Sequence, residues 1–144
     1  MSDCWVIVAD SARVRLFQKG EGQSIEEFDV MLNPDVRLRE QDLVSDEPGR
    51  GLNRSRSSRF SMSEVEGHRE HAEKTMAIEL ARRLRQARLD GSLSRLHVLA
   101  APHFLGQLRN SLDEETRELV CSETAKNVSR LDAPDIRKQL PEYL

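Results

Sequence analysis

Cys4-Trp5-Val6-Ile7-Val8-Ala9 is an uninterrupted apolar run, closed by Asp10-Ser11. A run without a polar break suits a strand covered on both faces, and hence an interior strand of a layered α/β sheet. Ala12 to Gln18 then alternates, with Val14 and Leu16 on one side and Arg13, Arg15 and Phe17 on the other. That is the period of a half-buried strand, joined to the first by a turn at Asp10-Ser11. Lys19-Gly20-Glu21-Gly22-Gln23 supplies a second turn, and a third strand is expected from Ser24 to Leu32. An antiparallel meander of three strands therefore opens the chain.

Asn33-Pro34 ends the meander, and the next thirty or so residues show no clear period, far longer than ordinary connections within a domain. The segment 34–62 is expected to be a mobile loop with segregated charge. Asp35 to Pro48 is mostly acidic, whereas Gly49 to Arg59 holds Arg50, Arg54, Arg56 and Arg59 without an acid.

Beyond it, Ser63-x-x-Glu66 has the form of a capping box. Ala72, Met76, Leu80, Leu84 and Ala87, with Ala77 and Ala81 beside them, trace one apolar helical stripe. Glu70–Lys74 and Glu79–Arg83 fall at i,i+4 on the polar side. Asp90-Gly91 stops the helix. Leu96 to Ala101 reads as a second buried strand, reached by a parallel crossover. Pro102 begins a short helix, Ser111-x-x-Glu114 caps another, Leu119 to Val128 holds a last strand, and Asp132-Ala133-Pro134 starts a C-terminal helix. The expected fold is α/β: one domain over residues 1–144 with a mixed five-stranded sheet and a long helix packed on it.

Composition narrows the function classes. A net charge of −3 supplies no overall pull towards polyanions, and 4% aromatic residues leave few rings for base stacking. Cys4 and Cys121 lie in apolar stretches and read as buried reduced thiols. The apolar run at the start lacks a basic flank and is too short for a signal peptide or a membrane span, so a cytoplasmic protein is expected.

Several residue groups are candidates for chemistry. The guanidiniums of Arg50, Arg54, Arg56 and Arg59 match phosphate oxygens, and glycine and serine let the backbone approach closely. They are the predicted nucleic-acid or anion site; a solvated loop pairing with Asp42, Asp46 and Glu47 is the plainer reading. Glu64, His68 and His71 share a helix face and are candidate metal ligands, though the spacing is not His-Glu-x-x-His. Asp10 ends the first strand, where a nuclease places a metal-binding acid, but turn formation is its simpler role. His103 follows the Leu96–Ala101 strand, where loops line clefts in α/β sheets. Asp10 and His103 are thus the candidate catalytic residues, against a structural reading of both. No phosphate-binding glycine loop, Gly-x-Gly-x-x-Gly or Gly-x-Ser-x-Gly is present, so no cofactor is predicted.

Trp5-Val6-Ile7-Val8-Ala9-Asp10, with Ala12-Arg13 and Leu16-Phe17, resembles the opening of the bacterial host attachment proteins. Ser45-Asp46-x-Pro48-Gly49-Arg50, Ala101-Pro102-x-Phe104-Leu105-Gly106-x-Leu108-Arg109 and the closing Pro134, Ile136 and Arg137 resemble later parts of that family in the same order. The resemblance implies a role in attachment to host cells. The family is in turn distantly similar to the middle domain of archaeal and eukaryotic class-one release factors and of Pelota-type rescue factors, a fold of ribonuclease-H-like type. In release factors a loop between sheet and long helix carries Gly-Gly-Gln; here residues 49–59 hold the comparable place, and no Gly-Gly-Gln occurs. Gly20-Glu21-Gly22-Gln23 is interrupted by Glu21 and lies in a hairpin turn. The resemblance therefore implies a binding module associated with ribosome or structured RNA, without peptide release. A protein-interaction or regulatory domain acting on attachment without RNA is the alternative, and a small hydrolase or nuclease a third reading.

Overall fold

The computed structural model describes residues 3–33 and 62–144, with side chains from residue 70 onward in the second stretch. Five strands form one mixed sheet: β1 (Cys4–Ala9), β2 (Arg13–Lys19), β3 (Ile25–Leu32), β4 (Arg95–Ala100) and β5 (Val120–Ala125). Their spatial order is β3-β2-β1-β4-β5. The meander is antiparallel, with Ile7 opposite Leu16 and Arg15 opposite Val30. β1 and β4 run parallel, Trp5 beside Leu96 and Ala9 beside Ala100, and β5 continues parallel to β4.

β1 is central, and every residue in it is buried, as an apolar run without alternation requires. Its side chains divide between two cores. Trp5, Ile7 and Ala9 join Val14, Leu16, Val98 and Ala100 beneath helix α1 (Met62–Leu89) and helix α2 (Pro102–Ser111). Cys4, Val6 and Val8 join Phe17 and Leu99 on the other face, under the C-terminal segment with Val128, Ile136 and Leu144. The stripe from Ala72 to Ala87 is the buried side of α1. Two short helices complete the chain, α3 (Glu114–Arg117) and α4 (Ala133–Arg137).

Some local expectations give way. α1 includes Ser63 rather than starting after it. Ser111 caps nothing downstream: its hydroxyl donates back to the Gln107 carbonyl at 3.0 Å, and Asp113 precedes α3. A serine late in a helix competes for the carbonyl one turn behind it. The predicted i,i+4 pairs are replaced by contacts between elements. Arg83 Nη2 reaches Asp29 of β3 at 2.6 Å, and Glu70 faces His103. Exposed pairs along one helix are worth only about 0.3–0.5 kcal/mol, too little to hold a long side chain from a better partner. Cys4 is buried and its thiol pKa is raised, chiefly by desolvation. Cys121 is exposed, because it falls on the outward side of the edge strand β5.

Candidate functional site

β1 and β4 end side by side, and Ala101 N–H donates to the Ala9 carbonyl at 3.0 Å. Asp10 and the Pro102-His103 start of α2 therefore emerge at the same edge of the sheet, the carboxyl ends of parallel strands where α/β proteins bind ligands.

Asp10 is committed to structure. Its Oδ1 accepts from the Ala12 and Arg13 amides at 2.8 and 3.0 Å, closing the turn into β2. Its Oδ2 meets the hydroxyl of Ser129, which also lies 2.8 Å from Asn127 Oδ1. The acid thus ties the first turn of the chain to the segment that covers the second sheet face. Arg15 makes a parallel tie. Its Nη1 donates to the carbonyls of Ser129 and Leu131, its Nε donates to Glu27 Oε2 at 2.7 Å, and its guanidinium lies 5.0 Å from the Phe17 ring centre.

His103 has different company. Its Nδ1 lies 3.0 Å from Glu73 Oε2 and its Nε2 4.0 Å from Glu70 Oε1, both on α1. Glu73 is 6% exposed, so the imidazole serves as the polar partner of a buried carboxylate. Asp10 turns towards the C-terminal segment and His103 towards α1, and they share no partner. The edge that brings their backbones together sends their side chains to opposite faces.

The remaining candidates are distributed as follows. Among the described residues no group of three His, Cys, Asp or Glu can hold a metal ion. His71 is exposed, while the side chains of Glu64 and His68 lie outside the described residues. Arg50, Arg54, Arg56 and Arg59, and the rest of the loop 34–61, also lie outside them. No helix among the described residues is long and apolar enough to cross a membrane.

A cleft of about 550 Å³ opens beside Asp10, lined by Arg13, Arg15, Glu27, Val30, Arg130 and Asp132 among others. Local sequence pattern did not single out Arg15, Glu73, Ser129 or Arg130. Glu73 had a signal, an acid placed within the apolar stripe of α1. Arg15 and Ser129 had none, because Arg15 Nη1 and Ser129 Oγ meet groups more than a hundred residues away, and Arg130 had none, because only the fold sets it beside the cleft.

The family model for proteins required for attachment to host cells matches residues 5–140. The chain belongs to that family. No curated protein matches it. In this host attachment chain, residues that carried the resemblance build the framework. Phe104, Leu105 and Leu108 of α2 are buried, and Arg109 Nη2 reaches Glu123 at 2.6 Å. Pro134 opens α4, Ile136 is fully buried, and Arg137 donates to the carbonyls of Gln23, Pro141 and Glu142.

Proposed function

We propose that this host attachment chain is a non-enzymatic binding module that engages ribosome or structured RNA through its basic segment 49–59. The observation behind this reading is position in the chain. The segment joins β3, which ends at Leu32, to α1, which starts at Met62, and it carries Arg50, Arg54, Arg56 and Arg59 without an acid. The order of a meander, a long connection and a helix is also that of the release-factor middle domain, whose tip enters the ribosome. Against a hydrolase or nuclease, Asp10 spends its acceptors on the turn and Ser129, and His103 is joined to Glu73. The reading sets its place of action in the cytoplasm and makes its effect on attachment indirect.

The test is RNA binding across a salt titration, with the parent and an Arg54→Ala, Arg56→Ala, Arg59→Ala variant. Each arginine withdrawn from a phosphate should reduce the salt slope by roughly 0.7–0.9, so the triple variant should bind more weakly and with a slope lower by about 2–3. Equal affinity in parent and variant would sink the RNA reading. Partners that survive nuclease treatment in a pull-down would favour the alternative, a protein-interaction domain that acts on attachment without RNA.

A further inference from the structure

We infer that the cleft beside Asp10 is a binding site for a small organic phosphate, held between Arg13 and Arg130 with its apolar part against Val30 and Leu131. Three acids line the cleft, and each already serves an internal donor. Asp10 accepts from the Ala12 and Arg13 amides and meets Ser129. Glu27 takes both arms of Arg15, and Asp132 accepts from the Asp135 amide at 3.0 Å at the start of α4. Arg15, the innermost guanidinium, is likewise occupied by Glu27, Ser129 and Leu131.

Arg13 and Arg130 differ. Both line the cleft, both are exposed, and neither guanidinium has a hydrogen bond or ion pair among the described residues. Their backbones are fixed by other means. Arg13 stands in β2 opposite Leu32, and Arg130 follows Ser129, whose hydroxyl meets Asp10. Two forked donors on rigid supports are suited to one dianion with several oxygens, as a phosphate monoester presents.

The second observation is apolar. Val30 is 44% exposed and lies in the same cleft with Ala12 and Leu131, so a ligand with a hydrocarbon or ring body gains burial as well as charge pairing. The cleft volume falls within the roughly 300–1,000 Å³ of small-molecule sites. Glu27 and Asp132 line the same cleft, so the two arginines suit a single phosphate better than an extended polyanion. None of the cleft residues named here belongs to the basic segment 49–59.

Calorimetric titration of the full chain tests the site with adenosine 5′-monophosphate, inorganic phosphate and succinate as probes. Saturable binding of adenosine monophosphate is expected. It should weaken about tenfold or more in an Arg13→Ala, Arg130→Ala variant and be unchanged in an Arg85→Ala control. Val30→Ser should weaken adenosine monophosphate and leave inorganic phosphate alone. Both substituted arginines are exposed, so an unchanged thermal melt confirms that the double variant is folded. Absence of binding to both phosphates, or equal binding by the double variant, overturns the proposal. Succinate binding as tightly as inorganic phosphate overturns the phosphate assignment, and inorganic phosphate without adenosine monophosphate overturns the organic body.

Discussion

At His97 the sheet encloses an imidazole that the sequence presents as one polar member of a buried apolar strand. It is 3% exposed; Nδ1 shares a 2.7 Å hydrogen bond with Ser122 Oγ on β5, and Nε2 is buried without a partner among the described residues. Desolvation, then the charges of Arg95 and Arg137, push its pKa below the ordinary histidine value. The unfolded chain therefore takes up its proton first as pH falls. Stability from keeping His97 neutral is complete above about pH 6.5 and declines as pH drops from there towards the folded-state value. A His97→Gln variant should lack this decline. Denaturant melts between pH 7 and 5 should show the parent losing its advantage by at most about 1.4 kcal/mol per pH unit. Parallel curves for the two proteins would refute the assignment. Residue chemistry was only partly legible here. Burial of His97 follows from the run around it and Arg95 stands two residues before it in β4, but Arg137 reaches it only through the fold.

Among the elements, α1 shows where local signals suffice. Its apolar stripe specifies the buried side, and Asp90-Gly91 specifies the end. Gly91 has φ 86°. Its amide donates to the Arg88 carbonyl at 3.3 Å, and that of Ser92 to the Ala87 carbonyl at 2.9 Å. This is the paired closure that a left-handed residue makes possible after a helix. Nothing stands within 4 Å of a β-carbon built there, so Gly91→Ala tests backbone conformation alone. It should cost about 1 kcal/mol, seen as a lower urea midpoint with an unchanged m-value. No loss of stability would mean that the left-handed closure contributes little. The cap assigned to Ser111 failed because residue 111 still belongs to α2, where its hydroxyl donates to the Gln107 carbonyl one turn back, and Asp113 stands before α3 instead. The last strand is likewise shorter than its apolar signal, ending at Ala125, after which the chain turns back over the sheet.

At the scale of the whole molecule, the described residues cover the second sheet face with a short C-terminal segment, which is fastened largely by side chains acting on backbone. Arg15 holds the Ser129 and Leu131 carbonyls, Asp10 holds Ser129, and Arg95 donates to the Leu144 carbonyl at 2.8 Å. Arg15→Met keeps much of the stem over Phe17 and removes the charged donors. It should cost about 2–3 kcal/mol and speed amide exchange in residues 128–140 more than in α2 or β4. Uniform acceleration throughout the chain would show instead that this segment opens only with the global fold.

The sequence by itself determined the strands, the main helix and its buried face, and the antiparallel meander. Hydrophobic period and turn residues act within a few positions of one another, and a one-residue change of register would turn a core face to water. Only the tertiary structure decided that Asp10 answers to Ser129, that His103 answers to Glu73, and that the arginines of β2 divide between a fastener and a cleft wall. Those choices depend on which groups meet when distant segments close over the two sheet faces. A buried polar atom takes whichever partner that closure delivers.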